Sequence, residues 1–316
     1  MAFPLIVDTD MAFDDWMAVT YLLAEPLVKL KAITIAATGE THSRFGVQNA
    51  LRLLTLADSP FVPVAAGRTS PLQGSHQFPW FIRRMMDFRL GLTLPRPQYK
   101  AAGKTAVELI IEQLRSAAEP LTILALGPLT NLAEVILAEP GLVKQMARIY
   151  CMGGALRVPG NLAELNRRLN NPHAEWNIYI DPYAAAVLFA AGAPLTLVPL
   201  DVTNQHALTD AFYERCAKTR STPAADFVYR ILRRMQPARR FGDIYFWDPL
   251  AAVVAVHPEI AQFEERKLTV IQTEGNECGR VIEHREGHCV QVCTRVDQVA
   301  FEQIFLNTLN AKTATV

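Results

Sequence analysis

Short apolar runs alternate with helical patterns from residue 3 to residue 235. The run at 3–7 is typical of a buried parallel strand, and the helix-favouring residues after it, 14–25, end at Pro26. The same order continues along the chain, with strands predicted at 30–36, 121–126, 147–152 and 194–199 and helices at 46–57, 129–138, 182–191, 209–218 and 223–235. Strands that alternate with helices predict an α/β fold in which helices cover both faces of a mostly parallel central sheet.

Two long segments interrupt this alternation. Residues 68–103 are rich in Pro, Gly, Arg and aromatic residues, and residues 153–176 are polar and include four asparagines. Loops of this length inside a compact domain are usually functional or mobile. The last quarter of the chain predicts short strands at 267–272, 279–284 and 289–294 and a closing helix at 297–310. Because no repeat or linker divides the sequence, we expect one domain over 1–316.

Composition and charge narrow the classes of partner. Half of the 316 residues are hydrophobic, and 31 Lys and Arg balance 31 Asp and Glu, so no net charge attracts nucleic acid or an anionic membrane. No apolar stretch reaches the roughly 18 residues of a membrane span, and the N-terminal segment lacks the basic region of a signal peptide. The five cysteines are odd in number and show no CxxC spacing, which predicts reduced thiols and a cytoplasmic protein.

Four aspartates crowd the junction between the first strand and the first helix. In VDTDMAFDD they are Asp8, Asp10, Asp14 and Asp15. Ligands of open α/β sheets bind beyond the carboxyl ends of the strands, and four carboxylates there repel one another unless a cation or shared protons relieve them. Their oxygens suit Ca²⁺ or Mg²⁺. Taken alone, the motif fits either a phosphatase of the haloacid dehalogenase type, with a nucleophilic aspartate, or a metal-dependent hydrolase in which an aspartate activates water.

Three later sequence blocks separate these two readings. They are LALGPLTNLAEVI at 124–136, HAEWNIYIDPYAAAVLF at 173–189 and YFWDPLAAVVAV at 245–256. Together with the N-terminal DxDxxxDD, they make the chain from about residue 3 to residue 258 resemble the inosine-uridine type nucleoside N-ribohydrolases. The resemblance implies a single α/β domain, a Ca²⁺ cofactor, a nucleoside substrate cleaved at its N-glycosidic bond to free base and ribose, and a dimeric or tetrameric homo-oligomer.

The resemblance also assigns metal ligands and a catalytic base. Asp10 matches the general base that touches the metal, Asp15 matches a bidentate ligand, and Asp248 matches the ligand that closes the site. Leu126 lies where the family uses a main-chain carbonyl, so its apolar side chain is no obstacle. The chemistry is coherent, because carboxylates stabilise an oxocarbenium-like transition state on the sugar and a water activated by a metal can lose its proton to Asp10.

A second group of residues matches those that hold the ribose. Asp14 matches the partner of a ribose hydroxyl, and Asp8 is expected to lie behind the site. The residues that match the grip on the 3′- and 5′-hydroxyls and the pocket floor are Asn161, Glu175, Asn177 and Met152. Between the paired aspartates the family usually has Gly or Asn-type residues, whereas this chain has Met11-Ala12-Phe13. One sugar contact from that turn is therefore expected to be missing.

Two tryptophans favour a purine as the leaving base. Trp247 directly precedes Asp248, where purine-specific members of the family carry a tryptophan, and Trp80 lies in the loop of their second tryptophan. Two indoles that sandwich a purine would stack on it and raise its proton affinity, so that the ring leaves after protonation. The expected function is therefore Ca²⁺-dependent hydrolysis of ribonucleosides with purines preferred, and a broad inosine-uridine hydrolase is the alternative enzyme.

Three other residues are candidates for contact with the substrate. Trp176 belongs to AEWNIY, which resembles the central block of the purine-specific members, and Tyr245 lies in a candidate lid before Trp247. Glu40 replaces the amide of the family's usual Gly-Asn pair, and it either donates to the purine or lies on the rim.

Outside this enzyme class, the sequence leaves open a phosphatase with Asp8 as nucleophile and a non-catalytic protein that binds a nucleoside or is stabilised by Ca²⁺.

Histidines and cysteines carry weaker signals. His42 and His76 are lesser candidates for an acid that protonates the leaving group. Four residues near the C-terminus resemble a zinc set in composition, but their place in a predicted β-hairpin makes them strand-face residues: His284, His288, Cys289 and Cys293. Neither GxGxxG nor GxxxxGK[ST] occurs, so the sequence supports neither a dinucleotide site nor a nucleoside triphosphate site.

Overall fold

The computed structural model describes residues 2–240 and 242–311, which are organised around one nine-stranded sheet. The strands are β1 Phe3–Thr9, β2 Val28–Ile35, β3 Val64–Ala66, β4 Leu121–Ala125, β5 Met146–Met152, β6 Leu195–Val198, β7 Ala261–Val270, β8 Val281–Glu283 and β9 His288–Val296. The helices are α1 Phe13–Ala24, α2 Ser43–Leu56, α3 Trp80–Asp87, α4 Ala106–Ser116, α5 Thr130–Ala138, α6 Leu162–Leu165, α7 Trp176–Ile180, α8 Pro182–Ala190, α9 Leu200–Thr203, α10 Asp210–Thr219, α11 Pro223–Met235, α12 Trp247–Val256 and α13 Gln298–Asn310.

The sheet is mostly parallel, as the alternation of strands and helices predicts. The strands β3-β2-β1-β4-β5-β6-β9 pair in parallel in this order, and β7 and then β8 follow at one edge through antiparallel pairs. The chain moves outward from β1 to β3 and then returns to place β4 on the other side of β1. Such a reversal of direction leaves a crevice at the carboxyl ends of the two adjacent strands, where ligands bind in folds of this kind.

Alternate residues of the central strands face two separate hydrophobic cores. Leu5 and Val7 of β1 pack into the core formed with α1, α2, α11, α12 and α13, whereas Ile6 packs into the core formed with α4, α5 and α8. Because side chains point to opposite faces along a strand, an unbroken apolar run is required to serve both layers. The helices therefore cover both faces of the sheet, and this fold class confirms the one expected from the sequence.

Helix α1 lies in the centre of one of these layers. Every residue from Phe13 to Leu22 is buried, and the helix packs against α11, α12 and α13 as well as the sheet. A helix surrounded by protein carries no polar stripe. The acids of its first turn, Asp14 and Asp15, are therefore buried together with its apolar residues. Among residues 2–240 and 242–311, no helix is long and apolar enough to cross a membrane.

The structure contains elements that the sequence pattern did not predict. Residues 68–103 hold helix α3, and α4 follows directly after this segment. The sequence does carry a signal for α4, because Thr105 followed three residues later by Glu108 is the pattern of a capping box. In the structure, the Thr105 hydroxyl accepts a hydrogen bond from the Glu108 backbone N–H, and the Glu108 carboxylate accepts one from the Thr105 backbone N–H. In the last quarter, the structure extends β7 to Ala261–Val270, where only 267–272 was predicted, because β7 pairs along its length with β9.

Candidate active site

The crevice at the carboxyl ends of β1, β4 and β5 opens into a cavity of about 290 Å³. Asp10 follows β1, Leu126 follows β4, and Met152 is the last residue of β5, and all three line the cavity. The N-termini of α1 and α12 supply Asp14, Asp15 and Asp248 to its floor. Helix N-termini favour negative charge through their dipoles, so the fold brings two favourable positions for carboxylates together.

Three carboxylates in this cavity lie close enough to share one cation. Oxygens of Asp14, Asp15 and Asp248 all lie within 4.8 Å of one another. Asp10 adjoins this cluster, because its carboxylate is close enough to Asp15 to interact with it by hydrogen bonding and by charge. The sequence placed Asp10, Asp15 and Asp248 around the metal and gave Asp14 to the ribose; in the structure Asp14, Asp15 and Asp248 form one group of oxygens, and Asp10 adjoins that group at Asp15.

The position of Asp10 is fixed by two backbone segments that approach it closely. Its Oδ2 accepts a hydrogen bond from the Glu40 backbone N–H at 3.0 Å, and its carbonyl accepts one from the Thr41 hydroxyl at 2.7 Å. A Cβ atom on Gly39 would lie 2.2 Å from Asp10 Oδ2, and a Cβ on Gly127 would lie 2.9 Å from Asp10 Cβ. Both positions therefore require glycine, because any side chain would displace Asp10.

Asp15 is held by the turn between β1 and α1. The Thr9 hydroxyl donates to Asp15 Oδ1, and the Ala12 backbone N–H donates to Oδ2 at 2.9 Å. Met11 in this turn has φ +60°, a left-handed conformation that disfavours a side chain with a Cβ. The Gly or Asn-type residues expected from the family would adopt it without strain, so Met11 carries a conformational cost that the surrounding packing must offset.

Burial and mutual repulsion raise the pKa values of the whole acidic cluster. Burial first, and then neighbouring carboxylates, raise the pKa of Asp14 and of Asp15 to about 7, and the same two causes raise the pKa of Asp10 and Asp248 well above the usual range. Protein groups alone thus disfavour four negative charges here. A divalent cation would restore the ionised forms, since an opposite charge at contact distance favours a carboxylate.

The donor set of the cluster fits a hard divalent cation. Every candidate ligand atom is an oxygen, from the carboxylates and from the Leu126 carbonyl, and no cysteine lines the cavity among the residues that the structure describes. Among the described residues, the Leu126 carbonyl accepts one long contact of 3.4 Å, from Asn177 Nδ2, which leaves a lone pair for a ligand bond. Oxygen-only sets of this kind suit Ca²⁺, which takes both carboxylate and carbonyl ligands.

The opposite wall of the cavity is built from Glu175, Asn177, Asn161 and Met152. Glu175 caps α7, with Oε1 accepting from the Asn177 backbone N–H at 2.8 Å and Oε2 from the Gly154 backbone N–H at 2.9 Å. Burial raises the pKa of Glu175 to about 6, against these hydrogen bonds. Asn161 Oδ1 accepts a hydrogen bond of 3.1 Å from the Trp176 backbone N–H, which ties Asn161 to the start of α7. All four sequence-predicted ribose residues on this wall are therefore brought together.

Asp8 lies behind the cavity and does not line it. Its Oδ1 accepts hydrogen bonds from the Thr34 hydroxyl at 2.6 Å and from Asn131 Nδ2 at 2.8 Å, and burial raises its pKa to about 7. A carboxylate that is fully buried and engaged in this way cannot attack a phosphate ester in the cavity. The phosphatase alternative, which required Asp8 as nucleophile, loses its central residue.

Trp247 lines the cavity beside Asp248. Its ring lies edge-on to Phe13, with centroids 6.3 Å apart, and edge-on to Tyr245 at 5.8 Å. The indole N–H is buried without a hydrogen-bond partner among the described residues. Tyr245, predicted as a substrate contact, packs against Trp247 and is absent from the cavity wall that the structure describes.

Within the described part of the chain, neither Trp80 nor Trp176 packs against Trp247. Trp80 begins α3, but its side chain points outward, is 75% exposed and does not line the cavity among the described residues. Trp176 lines the cavity and stacks on Phe78, with centroids 4.7 Å apart. The predicted sandwich of Trp80 and Trp247 is therefore not formed in this conformation, because the side of α3 that faces inward carries Ile82 and Met86 instead.

Several residues of the cavity wall were missed by sequence reasoning. They come from the two irregular segments and from the end of α11: Phe78, Ile82, Met85, Met86, Glu164, Leu165, Met235 and Ala238. Most are apolar, and together with Phe13 they form a hydrophobic rim above the acidic floor. The amphipathic spacing of Ile82 and Met86 in α3 was a usable signal, but the short helix lies inside a segment rich in Pro and Gly.

Glu40 lines the cavity beside Asp10. Burial, followed by the charges of Asp10, Asp14 and Glu175, raises its pKa well above the usual range. Its backbone N–H is bonded to Asp10, while its side chain is half-buried and has no fixed hydrogen-bond partner within the described part of the chain. A glutamic acid held neutral in this position is able to donate a proton or a hydrogen bond into the cavity.

Comparison with known proteins extends over nearly the whole chain. Residues 5–303 match the family described as inosine-uridine preferring nucleoside hydrolase. The pyrimidine-specific ribonucleoside hydrolase RihA of Salmonella enteritidis is 35% identical over 283 residues, which cover 87% of this chain and 86% of the relative. The corresponding enzyme of Klebsiella pneumoniae is 34% identical over the same length and shares.

Solved structures show the same architecture. A plant nucleoside hydrolase, the PpNRh1 enzyme, aligns with a TM-score of 0.87 and 27% identity over 99% of this chain and 100% of its own. A purine-preferring ribonucleoside hydrolase from Gardnerella vaginalis aligns with a TM-score of 0.82 and 29% identity over 97% and 98% of the two chains. These matches confirm the resemblance drawn from the four sequence blocks, and the chain therefore belongs to the inosine-uridine preferring nucleoside hydrolase family.

Proposed function

We propose that this nucleoside hydrolase uses Ca²⁺ and prefers purine ribonucleosides. The observation that carries the proposal is the arrangement of Asp10 beside the Asp14, Asp15 and Asp248 cluster at the floor of a cavity whose rim is apolar and contains Trp247. The floor suits the sugar, which offers hydroxyls and develops positive charge, and the rim suits an aromatic base. Family membership supports a nucleoside as substrate, and the oxygen-only donor set of the floor supports a hard divalent cation.

Asp10, Asp15, Asp248 and the Leu126 carbonyl would hold the cation, and Asp14 would accept a hydrogen bond from a ribose hydroxyl. When bound, the cation supplies Lewis-acid stabilisation that lowers the pKa of a water molecule and orients the sugar hydroxyls. Asp14 lies in the same close group as two of these ligands, so a sugar hydroxyl bound there is held beside the cation. On the opposite wall, Asn161, Glu175 and Asn177 would grip the remaining hydroxyls.

The protein groups account for each proton and bond in the hydrolysis. Water attacks C1′ of the ribose as the N-glycosidic bond breaks, and Asp10 accepts the proton that water loses. The electron pair of the broken bond leaves with the base, which therefore takes up one proton. The positive charge that develops on the sugar lies above Asp10, Asp14 and Glu175, and carboxylates in a dry cavity stabilise such charge strongly.

Departure of the base is assisted by Glu40 and Trp247. Burial and the neighbouring carboxylates raise the pKa of Glu40, which favours its protonated form, and we assign it the role of donor toward the leaving base. The indole of Trp247 offers a flat face in the rim, and its interaction with a protonated purine is stronger than with the neutral ring because a cation adds to the stacking. Only interactions that strengthen in the transition state raise kcat. The stacking of Trp247 on the base strengthens as the base is protonated, so it is expected to raise kcat.

Relatives of this chain differ in the base they prefer, so the preference for purines needs its own support. The curated relatives RihA are named pyrimidine-specific, and a solved relative is named purine-preferring. In this chain, the rim formed by Phe13, Phe78, Ile82, Met85 and Trp247 is apolar and broad, which favours the larger stacking face of a purine. A broad inosine-uridine specificity is the alternative, and uridine is the substrate that distinguishes the two.

A nucleoside panel tests the reaction and the cation together. Inosine, adenosine, guanosine, uridine and cytidine are incubated with the enzyme in Ca²⁺ and, separately, after chelation and dialysis, while release of free ribose is measured. We expect purines to be cleaved with higher kcat/KM than uridine, and activity to disappear on chelation and return with Ca²⁺. Uridine turnover equal to that of inosine would establish the broad specificity, and activity that survives complete chelation would refute the Ca²⁺ proposal.

A pair of tryptophan variants tests the role of the rim. Trp247→Ala is expected to lower kcat for inosine more than kcat for p-nitrophenyl riboside, because nitrophenolate leaves without protonation. Trp80→Ala is the matched control, since its indole is 75% exposed and lies outside the cavity wall. Equal losses on both substrates in Trp247→Ala would mean that this ring only shapes the cavity. A loss in Trp80→Ala as large as in Trp247→Ala would show that substrate brings the two indoles together.

A further inference from the structure

Three side chains with metal-binding chemistry meet outside the active-site cavity. His76 lies in the segment before α3, and Glu274 and Cys278 lie in the turn between β7 and β8. One ligand atom from each, the imidazole nitrogen, a carboxylate oxygen and the thiol sulfur, lie within 4.8 Å of one another. None of the three lines the acidic cavity. The residues come from segments about 200 positions apart in the sequence, so only the fold brings them together.

The hydrogen bonds of His76 leave one nitrogen directed at this cluster. Its Nδ1 lies 2.7 Å from the carbonyl oxygen of Tyr179, and a carbonyl can only accept, so Nδ1 carries the proton. Nε2 lies 3.1 Å from Glu274 Oε2. In the neutral ring, the Nε2 lone pair therefore faces a carboxylate, which is repulsive unless a proton or a metal ion lies between them. Metal-binding histidines are commonly oriented in this way, by donation of the other ring N–H to a backbone carbonyl.

Cys278 adds a soft ligand on the inner side of the cluster. Its side chain is 1% exposed, and its thiol forms no disulfide and, within residues 2–240 and 242–311, makes one long polar contact of 3.7 Å with the Gln272 carbonyl. Burial, and then the charge of Glu274, raise the pKa of the thiol to about 11. Protein groups alone therefore keep Cys278 protonated, while a bound metal ion would take the thiolate and release its proton to solvent.

We propose that His76 Nε2, the Glu274 carboxylate and Cys278 Sγ form a Zn²⁺ site with a fourth position for water. Tetrahedral coordination with usual bond lengths separates nitrogen from oxygen by about 3.3 Å and nitrogen from sulfur by about 3.6 Å, and the observed spacing is within reach of both values. A thiolate and an imidazole select Zn²⁺ over Ca²⁺. The site is thus chemically distinct from the oxygen-only cluster on the cavity floor.

The position of the site gives it a bracing role. The His76 ring stacks on Tyr179 with centroids 4.1 Å apart, and two residues later Phe78 stacks on Trp176 in the cavity wall. On the other side, the turn that carries Cys278 approaches α7 so closely that a Cβ on Gly279 would lie 2.8 Å from Tyr179 Cα. A metal ion bound here would join this turn to the segment before α3, and so hold the wall formed by Phe78 and Trp176.

Cobalt substitution in the Ca²⁺-saturated enzyme tests the site without use of activity. The protein is reduced, saturated with Ca²⁺ to occupy the acidic cluster, and titrated with Co²⁺ and then with Zn²⁺. We expect one equivalent of Co²⁺ to give a thiolate-to-metal charge-transfer band in the near ultraviolet, which Zn²⁺ removes. Cys278→Ser should abolish the band, whereas the control Cys289→Ser, which changes an exposed cysteine in β9, should keep it.

Glu274→Gln provides a second variant that does not depend on replacement of a buried residue. The Glu274 side chain is 70% exposed, so this change leaves the fold intact. Zn²⁺ affinity, measured by competition with a chromophoric chelator, should fall by more than about tenfold, since loss even of an indirect partner weakens metal binding by about 10- to 100-fold. The absence of a thiolate band in the wild type, a band that survives Cys278→Ser, or unchanged Zn²⁺ affinity in Glu274→Gln would overturn the proposal. The first result would mean that His76 and Glu274 form only a hydrogen-bonded pair at the surface.

Discussion

Substitution of Gly39 by alanine is expected to disable the proposed base without unfolding the protein. A Cβ atom at this position would lie 2.2 Å from Asp10 Oδ2, 2.3 Å from its Cβ and 2.6 Å from its Cγ, whereas ordinary contacts begin at 3.4 Å. The Gly39 backbone is tied in turn to the Ala36 carbonyl by a hydrogen bond of 2.9 Å. Asp10 must therefore move, because its side chain is short and the backbone on both sides is fixed.

The size of the effect follows from that displacement. Relief of the contact requires a shift of at least about 1 Å, and misplacement of a reacting group by this amount lowers kcat by about 100-fold. Overpacking of a buried site costs about 1–3 kcal/mol of unfolding free energy, a cost that a domain of this size tolerates. We therefore expect kcat of Gly39→Ala to fall about 100-fold, while its cooperative unfolding transition is retained at a slightly lower temperature.

Steady-state kinetics with the best nucleoside substrate and thermal unfolding of the same samples measure both quantities. Gly141→Ala is the matched control, because a Cβ at Gly141 meets nothing within 4 Å and the same methyl group is added. Its kcat and melting temperature should equal those of the wild type. If Gly39→Ala keeps wild-type kcat, either Asp10 is not the base or its position does not matter for catalysis, and the reasoning is refuted.

Three further predictions address the base, the cation and the fold. Asp10→Asn should lower kcat by about 10²- to 10⁴-fold, as loss of a general base does, with an unchanged circular dichroism spectrum; near wild-type kcat would reduce Asp10 to a ligand. Because the pKa values of Asp14 and Asp15 rise from 3.8 to about 7 on folding, the chelated protein binds more protons folded than unfolded between these pH values, and its stability falls as pH rises through this window. The increase in melting temperature on adding Ca²⁺ should therefore be larger at pH 8 than at pH 5, and an equal increase at both would contradict this account. Thr105→Ala removes the cap of α4 and should cost about 1 kcal/mol in denaturant unfolding with kcat unchanged; a loss of activity would show that α4 is coupled to the site.

The sequence was most informative where structure is local. Apolar runs such as 3–7 and 121–126 became β1 and β4, because a strand buried on both faces must be apolar throughout. It was least informative between residues 68 and 103, where α3 lies. This helix directs Ile82 and Met86 into the cavity wall and exposes Trp80 and Phe81. A short helix is stabilised mainly by such packing, to which distant segments contribute.

The candidate site divides in the same way. The aspartates of DxDxxxDD and the later blocks were recognisable as a set, because their chemistry and spacing do not depend on the rest of the chain. The grouping of the carboxylates does depend on the rest of the chain. Asp248 joins Asp14 and Asp15 because α12 packs against α1. The exposure of Trp80 likewise follows from the orientation of α3 on the cavity rim, which no short-range pattern specifies.

By itself, the sequence determined the βαβ order, the acidic floor and the family to which these belong. Only the tertiary structure decided which residues surround the base, how Gly39 and Gly127 confine Asp10, and that His76 meets Cys278. The physical reason is distance along the chain. Periodicity and capping act over a few residues, whereas cavity walls and ligand clusters arise from contacts between segments tens to hundreds of residues apart, and these are fixed by the packing of the whole domain.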